Sequence, residues 1–199
     1  MKRASIGLLL CILFLGSVVS STVGKDKAKI TDLTVLVDRD SVGVSFFVGD
    51  LFSPKAEETI QSGVPVTFFF FARLTKGRSL WRDKRLASLM FTRRIRYDNL
   101  KKVFEVFVQE TSPPTVFEDF SKAKESLARV ENVRLIPRKP LTERATYYVS
   151  VKAEQEPVRL PFRLENLFFF VPSGKSETDW FVQKFRIGAY VLPRQGGDH

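Results

Sequence analysis

The stretch VPVTFFFFARL, residues 64–74, decides the fold class of this chain. Apolar side chains recur there at every second position, which is the period of a β-strand. Those on one face are Val66, Phe68, Phe70 and Leu74. Phe69 and Phe71 make the opposite face apolar as well. The pattern therefore predicts a strand at the centre of a sheet, covered on both sides.

Further segments with period-two alternation surround this strand and predict the rest of a β-rich fold. The turns DRDS at 38–41 and DNLKK at 98–102 join neighbouring segments into hairpins. The segments are 30–37, 42–48, 86–97, 103–110, 146–153 and 179–192. Arg93 interrupts the apolar series of the third segment, which predicts that this residue lies near the edge of the sheet.

A short helix is predicted just before the central strand. In FSPKAEETIQSG, residues 52–63, Ser53 can cap the first turn, and Pro54 fits the first helical position, where no backbone N–H is needed. Gly63 then ends the helix, because glycine readily adopts the left-handed conformation of a helix terminus.

A longer helix is predicted in TSPPTVFEDFSKAKESLARVEN, residues 111–132. Thr115 and Glu118 have the spacing of a capping box at its start. One stripe along the helix is apolar, which predicts that it packs across a sheet. The stripe consists of Val116, Phe120, Ala123, Leu127 and Val130.

Together these elements predict a mainly β protein, an antiparallel β-sandwich or partial barrel of seven or eight strands with one long and one short helix. The 199-residue sequence has no internal repeat and no second composition regime. We therefore expect a single β-rich domain over residues 28–192, followed by a flexible tail at 193–199.

The N-terminus has the layout of a secretory signal peptide. A basic start, MKR, precedes the apolar run ASIGLLLCILFLGSVV, and small residues follow. Val18 and Ser20 fit the small-residue positions of a cleavage site, which predicts a signal peptide over residues 1–20. An uncleaved membrane anchor is the alternative, because the apolar run approaches the shortest length that spans a bilayer.

The positions of cysteine and histidine limit the chemistry of the exported chain. Cys11 is the one cysteine and lies in the predicted signal peptide, and His199 is the one histidine. The domain thus lacks a thiol nucleophile, an imidazole base and a Cys/His metal cluster. Adjacent carboxylates such as Glu57 and Glu58 cannot face each other across a substrate. We expect no catalytic residues, no bound metal and no cofactor, and so no enzyme.

The segment LWRDKRLASLMFTRRIRYD, residues 80–98, concentrates positive charge. From Lys76 to Lys102, ten Lys or Arg stand against Asp83 and Asp98. Such a local field attracts phosphates or carboxylates. An arginine can bind either group through two parallel N–H donors, and a tryptophan can stack on a sugar or a guanidinium. The candidate partner- or anion-binding residues are Trp81, Arg82, Lys84, Arg85, Arg94 and Arg96. The structural alternative is a polar turn followed by the solvated face of a strand.

The phenylalanine runs at 68–71 and 168–170 allow another interpretation. They can line a cavity between the sheets that holds an acyl chain or another apolar ligand. The candidate lining residues are Phe68, Phe70, Phe168 and Phe170. A core packed with phenylalanine rings explains the same runs without a ligand.

Several motifs carry a resemblance to a known family: ITDLTV, LFSPKAEETIQSGVPVTF, LWRDKRLAS with RRIRYDNL, and TDWF. On these motifs, which span nearly the whole exported chain, the sequence resembles DUF4390, an exported bacterial domain of unknown function. The resemblance implies a periplasmic location and an all-β body. It also implies an association with membrane sensor kinases, whose genes often lie near those of the family, and it implies no activity.

From these observations we expect a non-catalytic periplasmic β-sandwich that binds a protein partner near the inner membrane, such as a sensor kinase. The basic strand face within 80–97 is the expected contact surface. An anionic component of the envelope, including the membrane surface, is the other partner class, and nucleic acid is not expected in an exported protein. Carriage of a lipid or other apolar ligand in a phenylalanine-lined cavity is the alternative function.

Overall fold

The structure, a computed structural model, describes residues 27–78, 83–108, 112–143, 145–156 and 177–187. Within these residues the chain forms nine β-strands and two helices, so it is mainly β as predicted. In chain order they are β1 (Lys29–Val37), β2 (Ser41–Gly49), α1 (Pro54–Gln61), β3 (Val66–Lys76), β4 (Lys84–Asp98), β5 (Val103–Phe107), β6 (Thr115–Phe117), α2 (Phe120–Ala128), β7 (Arg129–Pro137), β8 (Thr146–Gln155) and β9 (Phe181–Arg186).

The strands form two antiparallel sheets. The smaller sheet has the order β1-β2-β7, and the larger has the order β6-β5-β4-β3-β8-β9. Every hydrogen-bonded pair of neighbouring strands is antiparallel. Two of the changes of sheet pass through helices, because α1 leads from β2 to β3 and α2 leads from β6 to β7. The third change, from β7 to β8, passes through the connection after Pro137. The predicted antiparallel sandwich or partial barrel is confirmed.

The quoted stretch forms the internal strand β3, which pairs with β4 on one side and β8 on the other. The side chains of its inner face are 1% exposed or less, as predicted for a central strand. They are Val66, Phe68, Phe70, Ala72 and Leu74. On the opposite face Phe69 and Phe71 are only half-buried. Within the described residues, this second face is therefore covered only in part.

Aromatic rings connect the two sheets in the core. The Phe70 ring is stacked on Phe91 with the centroids 5.3 Å apart, and it lies 6.3 Å from Phe46 of β2. Phe68 meets Phe52 edge-on at 5.0 Å. Each fully buried ring of this kind contributes about 2–3 kcal/mol of transfer free energy, so Phe68 and Phe70 both stabilise the core of the sandwich.

The short helix α1 begins and ends as its sequence predicts. Ser53 is the N-cap, and its hydroxyl accepts a hydrogen bond from the backbone N–H of Ala56 at 3.2 Å. Pro54 occupies the first helical position. The chain leaves the helix through Gly63, whose φ of +88° strains any side chain other than hydrogen.

The second helix is much shorter than predicted. Its N-cap is Asp119, whose carboxylate accepts a hydrogen bond from the backbone N–H of Lys122 at 2.8 Å, so the predicted capping box at Thr115 is wrong. The residues before Asp119 form β6 beside β5, and Arg129 already begins β7 beside β2. At both ends, pairing with a strand replaces the predicted helix, because a sheet partner satisfies the backbone N–H and C=O groups equally well.

Arg93 does not lie near a sheet edge, as its sequence context predicts, but on the inner face of the internal strand β4, where it is 6% exposed. Its Nη1 donates to the carbonyl oxygens of Ser126 at 3.1 Å, Leu127 at 2.9 Å and Arg129 at 2.5 Å. These carbonyls end α2, where backbone acceptors lack helical partners and the helix dipole favours a cation. Arg93 therefore holds the end of α2 against the large sheet.

Candidate functional site

The face of the large sheet that points away from the small sheet is here called the outer face. Residues directly opposite each other in paired strands lie on the same face, so the register defines its members. They include Thr67, Phe69, Phe71, Arg73 and Thr75 of β3, Arg85, Ser88, Met90, Thr92, Arg94 and Arg96 of β4, Glu105 and Phe107 of β5, Tyr148, Ser150, Lys152 and Glu154 of β8, and Val182 and Lys184 of β9.

A β-bulge decides which cations of β4 share this face. The register of β3 and β4 shifts at Leu86, and Thr75 then pairs with Arg85. A regular strand would place Lys84 on the same side as Arg94, but the extra residue puts Arg85 there instead. Lys84 lies at the first position of β4 and is exposed. Of these two predicted site residues, only Arg85 joins the outer face by register.

The middle of the outer face carries an apolar strip formed by Phe69, Phe71, Met90 and Trp180. Met90 lies directly opposite Phe71 and is 57% exposed. The Trp180 ring lies 6.3 Å from the Phe71 ring, and the guanidinium of Arg73 lies 3.9 Å from the centre of Trp180. Such a stack is a cation–π contact that fixes both groups. The strip offers partly exposed apolar surface beside an ordered cation.

Arg94 extends from the outer face beyond one end of the apolar strip. It is exposed, and its guanidinium lies 4.6 Å from the centre of the Phe107 ring. Neither Arg94 nor Arg85 forms an ion pair with any residue that the structure describes. Both can therefore bind an external carboxylate or phosphate without losing an ion pair to any of the described residues.

Arg96 also lies on the outer face, but it already forms an ion pair within the protein. Its Nη2 lies 2.7 Å from the Glu105 carboxylate, whose side chain is 5% exposed, and its Nε donates to the same oxygen. Lys101 approaches the other carboxylate oxygen at 3.4 Å. Removal of Arg96 would leave the buried carboxylate of Glu105 short of partners. This predicted site residue therefore forms a structural ion pair, and its guanidinium is not free to bind an external group.

A second ion-pair group lies at the far side of the apolar strip, on β8. The Lys152 ammonium lies 2.6 Å from Glu177 and 2.9 Å from Glu154. Hydrogen bonds to Glu177, and then to Glu154, raise the pKa of Lys152 above its ordinary value. On the outer face, ion pairs thus lie beside Arg85 and Arg94, for which the described residues provide no ion-pair partner.

The predicted apolar-ligand residues divide between the core and the segments outside the described residues. Phe68 and Phe70 are fully buried, and their rings are in contact with Phe52, Phe46 and Phe91. Phe168 and Phe170 lie outside the described residues, as do the predicted cation-site residues Trp81 and Arg82. The described contacts of the first pair are those of a packed aromatic core.

Comparison with known proteins identifies the family. The model of the domain of unknown function DUF4390 matches residues 25–184, which include every described strand except the end of β9. The chain belongs to the DUF4390 family. No curated protein matches it. No solved structure matches it either. The family membership carries no activity, so the outer face must be judged from its own geometry.

The sequence did not lead us to predict Arg73 and Trp180 as parts of the outer face of this DUF4390 protein. The available signal was the series Thr67, Arg73 and Thr75. Polar residues at these alternate positions of β3 indicate a face that is partly open to water, although Phe69 and Phe71 lie between them. The position of Trp180 had no local signal, because its contact with β3 depends on the tertiary fold.

Two open clefts lie away from the outer face. One, of about 320 Å³, has Arg39, Arg138 and Glu143 among its lining residues. The other, of about 360 Å³, lies between the two helices, where Glu57 is paired with Lys124 at 2.6 Å. Both clefts carry charges of each sign, and this mixture defines no single ligand chemistry.

The described residues form neither a metal-binding cluster nor a helix that could cross a membrane. Among these residues, no group of three His, Cys, Asp or Glu side chains is close enough together to hold a metal ion. The described helices, of eight and nine residues, are both too short to cross a bilayer.

Proposed function

We propose that this protein is a non-catalytic periplasmic interaction module that binds a protein partner near the inner membrane through the outer face of its large sheet. The observation that carries the proposal is the pair of exposed arginines, Arg85 and Arg94, which have no described ion-pair partner. Between them lies the apolar strip, where Met90 is 57% exposed. Exposed apolar surface next to unpaired arginine is typical of protein interfaces.

The absence of reactive residue types supports a non-catalytic role. Residues 27–198 contain neither cysteine nor histidine. Nucleophilic and acid–base mechanisms that use these side chains are therefore not open to the domain. The predicted signal peptide at 1–20 supports export. The kinase association implied by the family makes the exported domain of a membrane sensor kinase the first partner to test.

Charge reversal of the two unpaired arginines tests the proposed function. The double variant Arg85→Glu/Arg94→Glu is expressed in bacteria that carry this protein naturally, and its complexes are captured from the envelope after mild cross-linking. We expect the protein partner seen with the wild type to be lost. Arg96 is left unchanged, because its loss would expose the buried carboxylate of Glu105 and confuse binding with stability.

A matched control separates the outer face from net charge. Arg134→Glu/Lys139→Glu makes the same change in charge at two exposed positions outside the large sheet. We expect this variant to retain the partner. Equal capture by the wild type and both double variants would reject the outer face as the binding surface.

A separate measurement tests the compartment. If the chain is exported and remains in the periplasm, protease added to intact spheroplasts should degrade it, or it should be released when the outer membrane is removed. If the protein instead resists the protease as fully as cytoplasmic marker proteins do, the periplasmic part of the proposal is rejected.

The carrier hypothesis has less support. Its two described residues, Phe68 and Phe70, have their rings in contact with other core rings. We therefore do not advance a lipid-binding function beside the interaction function.

A further inference from the structure

Arg85 and Arg94, which have no ion-pair partner in the described part of the chain, lie at opposite ends of the apolar strip along β4. Met90 lies between them, four residues before Arg94 and five residues after Arg85, with the bulge at Leu86 on the way. Because a strand rises about 3.3 Å per residue, the backbones of Arg85 and Arg94 are about 27 Å apart. A ligand that contacts both guanidinium groups must therefore be long, with a middle part that covers apolar side chains.

The arginine side chains are suited to carboxylates at fixed positions. A guanidinium binds a carboxylate through two parallel N–H donors, which a lysine cannot do. Arg94 is stacked near Phe107 at 4.6 Å, and Arg73 is stacked on Trp180 at 3.9 Å. Stacking orders a guanidinium in advance, so less side-chain entropy is lost when an anion binds.

Because the outer face carries charges of both signs, it favours a partner with negative charges at separate positions over a partner that is uniformly anionic. Glu154 and Glu177 lie beside Lys152 at the β8 side of this face, with side chains 34% and 45% exposed. A uniformly anionic lipid surface would meet these carboxylates as well as the arginines. A second copy of the same face would place arginine near arginine. A narrow segment that runs along β4 would meet Arg85, Met90 and Arg94, and would leave the carboxylates beside Lys152 to one side. Ser88 and Thr92, which lie between these three residues, are polar but uncharged.

We propose that the partner contributes an acidic amphipathic segment that lies along β4 on the outer face. Carboxylates near both ends of the segment bind Arg85 and Arg94, and apolar side chains between them cover Met90, Phe71 and Trp180. The span corresponds to about 8 residues of extended chain or about 18 residues of helix. This inference rests on the proposed function, because it specifies the partner of the same surface.

Site-specific cross-linking tests the inference in cells. A photoreactive amino acid replaces Met90, which is 57% exposed at the middle of the strip, in the full chain. A control carries the same amino acid at Leu36, which is 37% exposed on the small sheet. After irradiation, adducts specific to position 90 are digested and their peptides are sequenced.

The composition of the cross-linked segment decides the result. We expect apolar residues at the cross-linked position and Asp or Glu on both sides of it, within the span given above. A protein adduct whose segment is neutral or basic would overturn this inference but leave the proposed interaction function standing. A lipid adduct, or no protein adduct specific to position 90, would overturn both.

The identified segment then provides a quantitative test as a synthetic peptide. Its affinity for the purified full chain should fall at least tenfold when salt rises from low to high ionic strength, because exposed charge pairs are screened. Arg85→Gln/Arg94→Gln should weaken it by about tenfold or more, and Lys in place of the segment's acids should restore binding to the Arg85→Glu/Arg94→Glu protein. Affinity that is insensitive to salt and to these changes would overturn the inference.

Discussion

Two adjacent arginines show how different the two faces of the large sheet are. Arg93 points inward, is 6% exposed and donates hydrogen bonds to three carbonyl oxygens at the end of α2. Arg94 points outward, is exposed and lies over the Phe107 ring. One peptide bond thus separates a structural cation from a cation that can bind an external group.

The difference teaches that the same residue type acquires its role from the face it occupies. Burial lowers the pKa of Arg93 to about 10, and the nearby Glu131 opposes this shift. The group stays charged at neutral pH because its hydrogen bonds replace much of the lost hydration. Arg94 keeps its contact with water, so its charge is available to a partner.

The largest expected effect comes from removing a buried aromatic ring of β3, and a partly buried ring on the opposite face of the strand provides the comparison. Phe70→Ala should lower the free energy of unfolding by about 4 kcal/mol, because a fully buried ring leaves a cavity. Phe71→Ala should lower it by about 1 kcal/mol, because that ring is half-buried on the outer face. Urea unfolding followed by circular dichroism measures both. Equal losses would mean that the outer face is as closely packed as the core.

The adjacent arginines provide the next comparison. Arg93→Ala should destabilise the protein by about 3 kcal/mol, since it removes a buried cation and leaves the carbonyls that end α2 short of donors. Arg94→Ala should change stability by less than about 0.5 kcal/mol. Chemical denaturation of the two variants checks this difference. A large loss from Arg94→Ala would show that the outer face is structural rather than open for binding.

Arg96 should give an intermediate effect, because it lies on the outer face but pairs with a buried carboxylate. Arg96→Ala should cost about 1 kcal/mol, since Glu105 then retains Lys101 at 3.4 Å as a weaker partner. The further change Glu105→Gln should recover part of this loss. A double-mutant cycle measures the coupling. Zero coupling would place Arg96 among the free cations of the outer face.

The smallest effect is a pH dependence at the end of β4. Asp98 accepts hydrogen bonds from the backbone N–H groups of Lys101 at 3.0 Å and Leu100 at 2.9 Å. The bond from Lys101, followed by that from Leu100, lowers the pKa of Asp98 below its ordinary value of 3.8. A carboxyl with a lowered pKa stabilises the folded state above pH 3.8 and loses this contribution as the pH falls through the folded pKa.

The variant Asp98→Asn isolates this contribution. Wild type should be more stable than the variant at pH 5–7, and the difference should shrink as the pH falls below about 4. Thermal unfolding across this range measures it. A difference that does not change with pH would assign the role of Asp98 to its hydrogen bonds rather than to its charge.

The sequence was sufficient to predict the fold class because hydrophobic period is a local property. The alternation in 64–74 identified the central strand, and Ser53, Pro54 and Gly63 identified the limits of the first helix. These features depend on the residues themselves and their near neighbours.

Features that depend on distant strands were not predictable in the same way. The end of α2 is decided by pairing between β7 and β2, and the inward position of Arg93 by carbonyls that lie more than thirty residues later. The bulge at Leu86 changes which cation shares a face with Arg94, and no local pattern marks it. For the candidate site, the predicted segment 80–98 contains the exposed cations Arg85 and Arg94. The sequence could not separate Arg96, which forms an ion pair, from Arg94, which has no ion-pair partner among the described residues.

The position of β3 between β4 and β8 has a consequence for the order of folding. Phe70 lies opposite Phe91 on one side and Ala153 on the other. The first contact closes a short loop, whereas the second must wait until most of the chain is available. Such high contact order slows folding, and the run of four phenylalanines remains open to association with other chains in the meantime. We therefore expect aggregation of newly made molecules to stop once β8 has paired with β3.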